Sequence, residues 1–470
     1  MEQAFVKRTR VAAAVAAIVM TAWGTHAHGA GFALQENAGS GTGNAFAGGA
    51  ASAEDASTVW SNPAGMSRLA SPQVAAAVHF ITPSFKFQNE GSLPAMFQPF
   101  GGNGGDAGSL NVVPNLYVAV PIYPQWSVGV GINAPFGLVT EYDDNWLGRF
   151  QAVKSDIKTI NVNPAVSWRV APNFSVGLGV NWQRVDAELT KRINYTGALG
   201  VAAGQAVAAG LIPVTLVPTI IGATPGLESK VKVEGDDSAW GWNIGFLWDA
   251  TPQTRIGGQY RSSIKYDVGG NVSFEHPALP TLPPALAPVV GLLAAGVNAN
   301  LANGGIRADI ELPDVANLSV FHRLDDRWDV MADLQFTRWS TFKELRFLRT
   351  TGALLSLTPE NFEDAWRFSV GATYHYNDAW SFRGGLAYDQ SPVRTADRTP
   401  RLPDADRYWI AVGAQYKFNR NLALDGGFVY IPVKDPEINQ NDGSTSANGL
   451  IKGHYDVNVT VFSLQLTYTF

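Results

Sequence analysis

One pentapeptide, Asn133-Ala134-Pro135-Phe136-Gly137, breaks the pattern of the segment around it. Its flanks alternate as a β-strand does, yet Pro135 has no N–H to offer a neighbour, and proline and glycine both weaken strand pairing. Two readings stand. The break is a bulge at a strand end, or it is backbone left unpaired because it borders a cavity, where a membrane tolerates it. A second set of residues supplies charge. Arg184, Arg255, Arg261, Arg367 and Arg383 fall on the polar, inward phase of alternating segments. There a guanidinium either pairs with acids such as Asp186, Asp333 and Asp389 or binds a carboxylate from outside the chain.

Residue types that usually carry catalysis are not organised for it. No G-x-S-x-G occurs. Gly129-Val130-Gly131-Ile132-Asn133-Ala134 matches a dinucleotide fingerprint, but Pro135 and Gly137 forbid the helix that must follow. His79, His276, His322, His375 and His454 show no metal-ligand spacing. No cofactor, no metal site and no enzymatic activity is expected. The catalytic alternative is an outer-membrane lipase, whose Ser and His could meet in space without a motif.

The elements that must hold these residues are strands. Charged residues make up only 16% of the chain, yet mean hydropathy is −0.02 and the few long apolar stretches are interrupted by proline. Strands with one face in lipid give that combination. Trp366, Phe368, Val370, Ala372 and Tyr374 alternate with Arg367, Ser369, Gly371, Thr373 and His375, and Trp380 to Asp389 repeats the pattern across the turn Asn377-Asp378. A soluble sandwich also alternates, but its solvent face would carry charge; here that face is mostly Gly, Ser, Asn and Gln, as in a barrel lumen. Fourteen strands are predicted, near 72–88, 110–122, 126–139, 154–170, 174–190, 230–248, 254–268, 306–323, 328–344, 364–376, 380–389, 405–418, 421–432 and 454–470. Short turns such as Pro124-Gln125 and Pro172-Asn173 alternate with long connections, the rule for an all-β, antiparallel transmembrane barrel. Aromatic pairs such as Trp240 and Trp248, Trp328 and Trp339, and Tyr408 and Tyr416 mark the two interfaces.

The chain begins as an exported protein does. Lys7, Arg8 and Arg10 precede an apolar run to Trp23 and small residues around Ala27 and Gly29, so residues 1–29 read as a cleaved signal peptide, with cleavage after either residue. Removing them takes the net charge from −6 to about −8, which argues against nucleic acid as a partner. With no cysteine, the chain has no lipid anchor, disulfide or thiolate site. At the other end, Phe462, Leu464, Leu466, Tyr468 and Phe470 take one face, while upstream Tyr455, Val457, Val459 and Val461 take the other. Either a bulge lies at Val461-Phe462, or the upper lumen is itself apolar.

Residues 30–70 do not read as strands. Gly31-Phe32-Ala33-Leu34-Gln35-Glu36 leads through a glycine-rich stretch to Asn62-Pro63-Ala64-Gly65-Met66. Asn62 before Pro63 is also what an N-cap and a first-turn proline look like. This segment resembles the N-terminal plug, or hatch, of the FadL/TodX family of outer-membrane transporters. Gly131 to Tyr142 and Trp146-Leu147-Gly148-Arg149-Phe150 are similar to that family's third strand and following loop. The resemblance covers essentially the whole mature chain. It implies a plug over 30–70, bearing Phe32, Gln35, Asn62, Pro63 and Ala64, within a barrel over 71–470. It also implies that the break at 133–137 is a kink opening the wall sideways.

Two long loops, 191–229 and 272–305, are unusually apolar, with no charged residue from Thr196 to Leu227 or from Pro277 to Ile306. Leu211, Ile212 and Leu216 lie in the first; Leu286, Val290, Leu293 and Val297 recur at helical spacing in the second. Either the loops bury each other or they form an apolar groove that captures cargo, the role the resemblance implies. The expected function is passive transport of hydrophobic molecules, long-chain fatty acids first and aromatic hydrocarbons as the alternative. A structural or adhesive barrel is the remaining class. Expected surroundings are outer-membrane lipid and lipopolysaccharide, with assembly by the barrel-insertion machinery and a monomeric state.

Overall fold

A computed structural model describes residues 31–470. The signal-peptide reading falls outside them. Fourteen spanning strands run in sequence. They are β1 (Gln73–Asn89), β2 (Asn111–Tyr123), β3 in two pieces (Trp126–Asn133 and Gly137–Glu141), β4 (Lys154–Ala171), β5 (Phe174–Asn194) and β6 (Glu228–Asp249). There follow β7 (Thr254–Arg261 and Ile264–Glu275), β8 (Gly304–Leu312 and Val315–Arg323), β9 (Trp328–Thr337), β10 (Ala365–His375), β11 (Trp380–Asp389), β12 (Arg407–Lys417), β13 (Leu422–Pro432) and β14 (Ile451–Thr469). Each pairs antiparallel with the next, and β14 returns to β1 from Gln73↔Thr469 to Asn89↔Gly453. Closure leaves no sheet edge, so backbone groups in lipid are paired.

The outward face carries Trp240, Trp242, Ile244, Phe246 and Trp248 on β6, all exposed and suited to lipid. The inward face changes character along the barrel. On β14 the alternation is uninterrupted: Ser463, Gln465 and Thr467 point inward near the short turns, and Tyr455, Val457, Val459 and Val461 near the loops. The bulge reading at Val461-Phe462 is therefore excluded, and the upper lumen is apolar.

β7 and β8, expected to be continuous, are each broken, at Ser262-Ser263 and Pro313-Asp314. The breaks face each other, between Arg261↔Val315 and Ile264↔Leu312. Each shifts the inward phase by one residue, so Gln259 and Arg261 face the lower lumen while Ile264, Tyr266 and Val268 face the upper one. A one-residue slip exchanges the faces of a strand; here it turns Ile264, Tyr266 and Val268 inward and leaves Lys265 and Asp267 on the outer face.

β9 ends at Thr337 rather than continuing to 344. The chain turns through Trp339–Thr341, and Trp339 is buried among lumen aromatics instead of lying in an interface belt. A hairpin of Glu344–Arg349 and Leu354–Pro359, absent from the expected pattern, then extends the wall outward. Residues 191–229 and 272–305 hold helices α1 (Tyr195–Ala208), α2 (Leu216–Ala223) and α3 (Ala287–Asn300). Asn194 caps α1, accepting from Gly197 N–H at 2.8 Å.

Candidate functional site

The break in β3 is real and occupied. The β2–β3 register runs from Tyr123↔Trp126 only to Leu116↔Ile132, and the second piece of β3 is registered with β4 from Gly137↔Lys158. Between the pieces, Leu34 N–H donates to Pro135 carbonyl at 2.8 Å and Gly137 N–H to Phe32 carbonyl at 2.9 Å. Residues 32–34 thus serve the broken stretch as a substitute strand. Thr159 Oγ1 satisfies both Phe136 N–H (2.9 Å) and Phe136 carbonyl (2.7 Å). Asn133 donates to Asn37 Oδ1 at 2.7 Å and accepts from Asn161 at 3.0 Å. Ala134 packs against the cluster around Leu34 and Trp409. Gln35, whose carbonyl accepts from Asn37 N–H, borders a small cavity shared with Pro135 and Phe136.

Phe32 sits at the centre of an aromatic cage. Its ring lies 4.8 Å from Trp339, 5.6 Å from Phe342 and 6.0 Å from Phe136 between centroids. Glu36, four residues on, is fully buried, and neither carboxylate oxygen has a hydrogen-bond partner. Burial pushes its carboxyl up to about 7, against the fields of Arg407 and Arg367.

Asn62-Pro63-Ala64 anchors the same N-terminal segment to the far wall. Asn62 caps a 3-10 turn over Pro63–Arg68, accepting from Ala64 N–H at 3.1 Å. Its amide also donates to the carbonyls of Ala50 and Phe246, both at 2.7 Å. Ser167 donates to Ala64 carbonyl at 3.1 Å. Contact is so close that a Cβ at Gly245 would collide with Asn62 Oδ1, and one at Gly257 with Ala50 carbonyl. Inward glycines on these strands are therefore seats for backbone.

The five arginines are engaged by the protein's own groups, in different ways. Arg184 points away from the lumen, between inward Gln183 and Val185, and pairs with Asp186 and Asp236 at 3.0 Å each. The strand's phase is uninterrupted, and its outer face turns polar where it rises towards the loops. Arg255 lies over the Phe321 ring, 3.9 Å from its centroid, and borders a polar vestibule at the short-turn end. The other three grip the N-terminal segment. Arg261 stacks 3.3 Å from the Trp60 ring centroid and donates to Trp60 carbonyl; Arg367 donates to Ala45 carbonyl at 2.7 Å. Arg383 joins Glu54 (2.8 Å), Asp425 and Ser40 carbonyl (2.9 Å). These cations are consumed by the protein itself.

The loop residues are likewise internal. Tyr195, Leu199, Ala294 and Val297 form one cluster between α1 and α3, and Ala203, Ile220, Leu286 and Val290 another with Ile212, Leu216 and Leu293 against them. Tyr195 OH donates to Asn298 Oδ1 at 2.7 Å. So the two loops do bury each other, and Leu211 stands exposed outside both clusters. None of the seven lines the groove that exists.

That groove, about 700 Å³, runs beside α1 between the 91–110 connection, the added hairpin and the 441–449 loop. Met96, Phe97, Val201, Ile221 and Leu301 line it. Phe97 adopts a left-handed φ of 66°, and Asn194 donates to Met96 carbonyl at 2.8 Å. At its inner end Leu189, Val233, Leu345, Phe347 and Arg401 border both the groove and a narrower apolar cavity of about 60 Å³. Phe32, Leu138, Leu312 and Phe342 floor that cavity. Phe32, in turn, touches the broken strand.

Arg401 donates to the carbonyls of Lys154 and Gln151 and to Ser155 Oγ at 3.1–3.2 Å. Among the described residues, no carboxylate lies within ion-pair distance of it. Sequence reasoning missed it because it follows Pro400 in an irregular connection, where no periodicity reports which way a side chain points.

A closed antiparallel barrel with a filled lumen and an oily inner path defines an outer-membrane transporter. The family model described as outer membrane protein transport protein (OMPP1/FadL/TodX) matches residues 19–470, and the chain belongs to that family. A long-chain fatty acid transport protein of Escherichia coli is 31% identical over 446 residues, covering 93% of this chain and 94% of the relative. A 47 kDa outer membrane protein of Pasteurella multocida is 32% identical, with 87% and 88% covered. The crystal structure of a Pseudomonas aeruginosa FadL homologue superposes with a TM-score of 0.82 at 26% identity, over 94% of this chain and all 100% of the other. The Pseudomonas putida toluene transporter TodX shares the fold, with a TM-score of 0.65 at 17% identity and 95% and 99% covered.

Proposed function

We propose that this protein carries long-chain fatty acids across the outer membrane and releases them sideways into lipid. The observation that carries this reading is continuity. An apolar lining runs from the outer groove through the neck at Arg401 to Phe32 and the break at Pro135, with one guanidinium outside any ion pair on the way. The groove takes up the acyl chain, the guanidinium holds the carboxylate, and the cavity receives the tail. Residues 30–70 act as a plug: Asn62, Pro63 and Ala64 fix one end, while Phe32 and Gln35 close the path.

Withdrawal of residues 32–34 frees the backbone of Pro135 and Gly137 and opens the wall at Asn133 to Gly137. Sideways exit is favoured because each CH₂ kept from water is worth about 0.8 kcal/mol. The chain then works as a monomer among lipid and lipopolysaccharide after insertion by the barrel-assembly machinery, as a passive conduit. An esterase assay on the purified protein tests the non-enzymatic part.

Growth of a deletion strain on oleate and on toluene, with and without the gene restored, tests the cargo. Dependence on oleate alone is expected. Dependence on toluene alone would move the assignment to aromatic hydrocarbons, and dependence on neither would end both.

A further inference from the structure

The inner cavity holds one acidic side chain. Besides Ser155 and Arg401, Glu360 is the only polar side chain bordering it among the described residues. Glu360 is 5% exposed, yet no hydrogen bond or ion pair reaches its carboxyl among the described residues. Its placement is built. Glu360 N–H and Asn361 N–H both donate to Lys343 carbonyl, at 2.9 and 2.8 Å. Asn361 takes a left-handed φ of 44°, and its amide is tied to Asp397 at 3.0 Å. Asparagine accepts this conformation readily, and the turn brings Glu360 to the border of the cavity.

Three charged groups face it. Arg401 and Asp397 come from the 390–406 connection and Asp442 from the 441–449 loop; Lys343 contributes only its carbonyl. Burial outweighs the Arg401 field and pushes the Glu360 carboxyl up to about 8, so it is an acid at neutral pH. An acid can donate a hydrogen bond where a carboxylate cannot.

We propose that Glu360 is a specificity-determining residue for this transport: its carboxylic acid pairs with a carboxylate cargo held at Arg401 and hands it a proton, so that the cargo enters the cavity as the neutral acid. The inference rests on the transport route proposed above. The step balances. Glu360–COOH and R–COO⁻ become Glu360–COO⁻ and R–COOH, Arg401 stays charged, and Glu360 regains its proton from water at the groove. One proton then accompanies each acid. With the Arg401 field included, Glu360 still holds its proton up to about pH 8, so transfer occurs only once desolvation in the cavity has raised the cargo's own carboxyl above that of Glu360.

Labelled oleate and the uncharged oleyl alcohol, supplied to cells carrying the wild type, Glu360→Gln or Glu360→Leu at pH 6.5 and 9, test this. Because oleate itself titrates, variant is read against wild type at each pH. In both variants oleate uptake should fall about tenfold or more at pH 6.5, the cost of one hydrogen bond to a charged group, while alcohol uptake stays at the wild-type level. The wild-type advantage should shrink at pH 9. Wild-type oleate uptake by Glu360→Gln at both pH values overturns the proposal, as does equal loss of both cargoes, which would make Glu360 structural. If the wild type itself moves neither cargo, it is the transport reading that has failed.

Discussion

Leu34 donates its backbone N–H to the carbonyl of Pro135, 2.8 Å away, so the lumen segment is hydrogen-bonded to the very residue that breaks strand β3. The segment thus supplies hydrogen bonds that the neighbouring strand does not give to the wall at this point. Ala33 and Phe136 form an isolated antiparallel bridge beside that bond. Bridged residues lie about 4.5–5.5 Å apart at Cα, within disulfide range, and the chain has no native cysteine to interfere. The double variant Ala33→Cys/Phe136→Cys should lose oleate uptake when oxidised and recover it under dithiothreitol. Unchanged uptake in the cross-linked protein would show that cargo leaves elsewhere.

Asn62 makes one cap, one bond within the N-terminal segment and one to the wall from a single side chain. Asn62→Ala leaves the Ala50 and Phe246 carbonyls without that donor and should cost roughly 2–4 kcal/mol. The predicted signature is increased ion conductance in planar bilayers with the barrel still heat-resistant on gels. Asn62→Asp keeps the cap acceptor and loses both donors, so it should leak too.

Glu36 gives the segment a pH dependence. Its carboxyl titrates near 7 when folded and near 4.5 otherwise, so the protonated form fits the buried site. The stabilisation is fully present below about pH 4.5 and is lost as pH rises through about 7, on the order of a few kcal/mol. Hydrogen-exchange protection at residues 32–37, taken relative to the intrinsic base-catalysed rate, should fall between pH 5 and 8. Glu36→Gln should flatten that profile; a slope that persists would assign it to another group.

The outer loops separate packing from capture. Val290 lies fully buried between helices, whereas Val201 lines the groove. Val290→Ala should destabilise the loop pair by about 2 kcal/mol, measured by its susceptibility to protease. Val201→Glu should leave that unchanged and lower oleate uptake at limiting concentration. Leu211→Ser, outside both clusters and the groove, should do neither.

Much was legible in the residues alone. Period-two alternation, turn pairs and the aromatic ending fixed a fourteen-stranded barrel, because a strand's faces follow directly from sequence parity. Pro135 announced the break in β3, because a missing N–H needs no context. The paired breaks of β7 and β8 were not legible, since serines at 262 and 263 fit a strand and only the partner strand reveals the slip. Arg184 was misplaced by its polarity rather than by parity, because a strand's outer face can be polar where it rises towards the loops.

What sequence could not assign was partnership across the chain. Whether an arginine serves cargo or protein depends on what stands opposite it, and for Arg261, Arg367 and Arg383 that is residues 40–60, hundreds of positions away. Leu286 and Val290 are as apolar in a helix interface as they would be in a groove. The sequence by itself determined the cylinder and its flaw, since local periodicity and a missing donor are properties of neighbouring residues. Tertiary structure alone decided that Phe32 lies on the flaw and that Arg401 and Glu360 border one cavity, because irregular loops carry no period and their side chains are aimed by distant contacts.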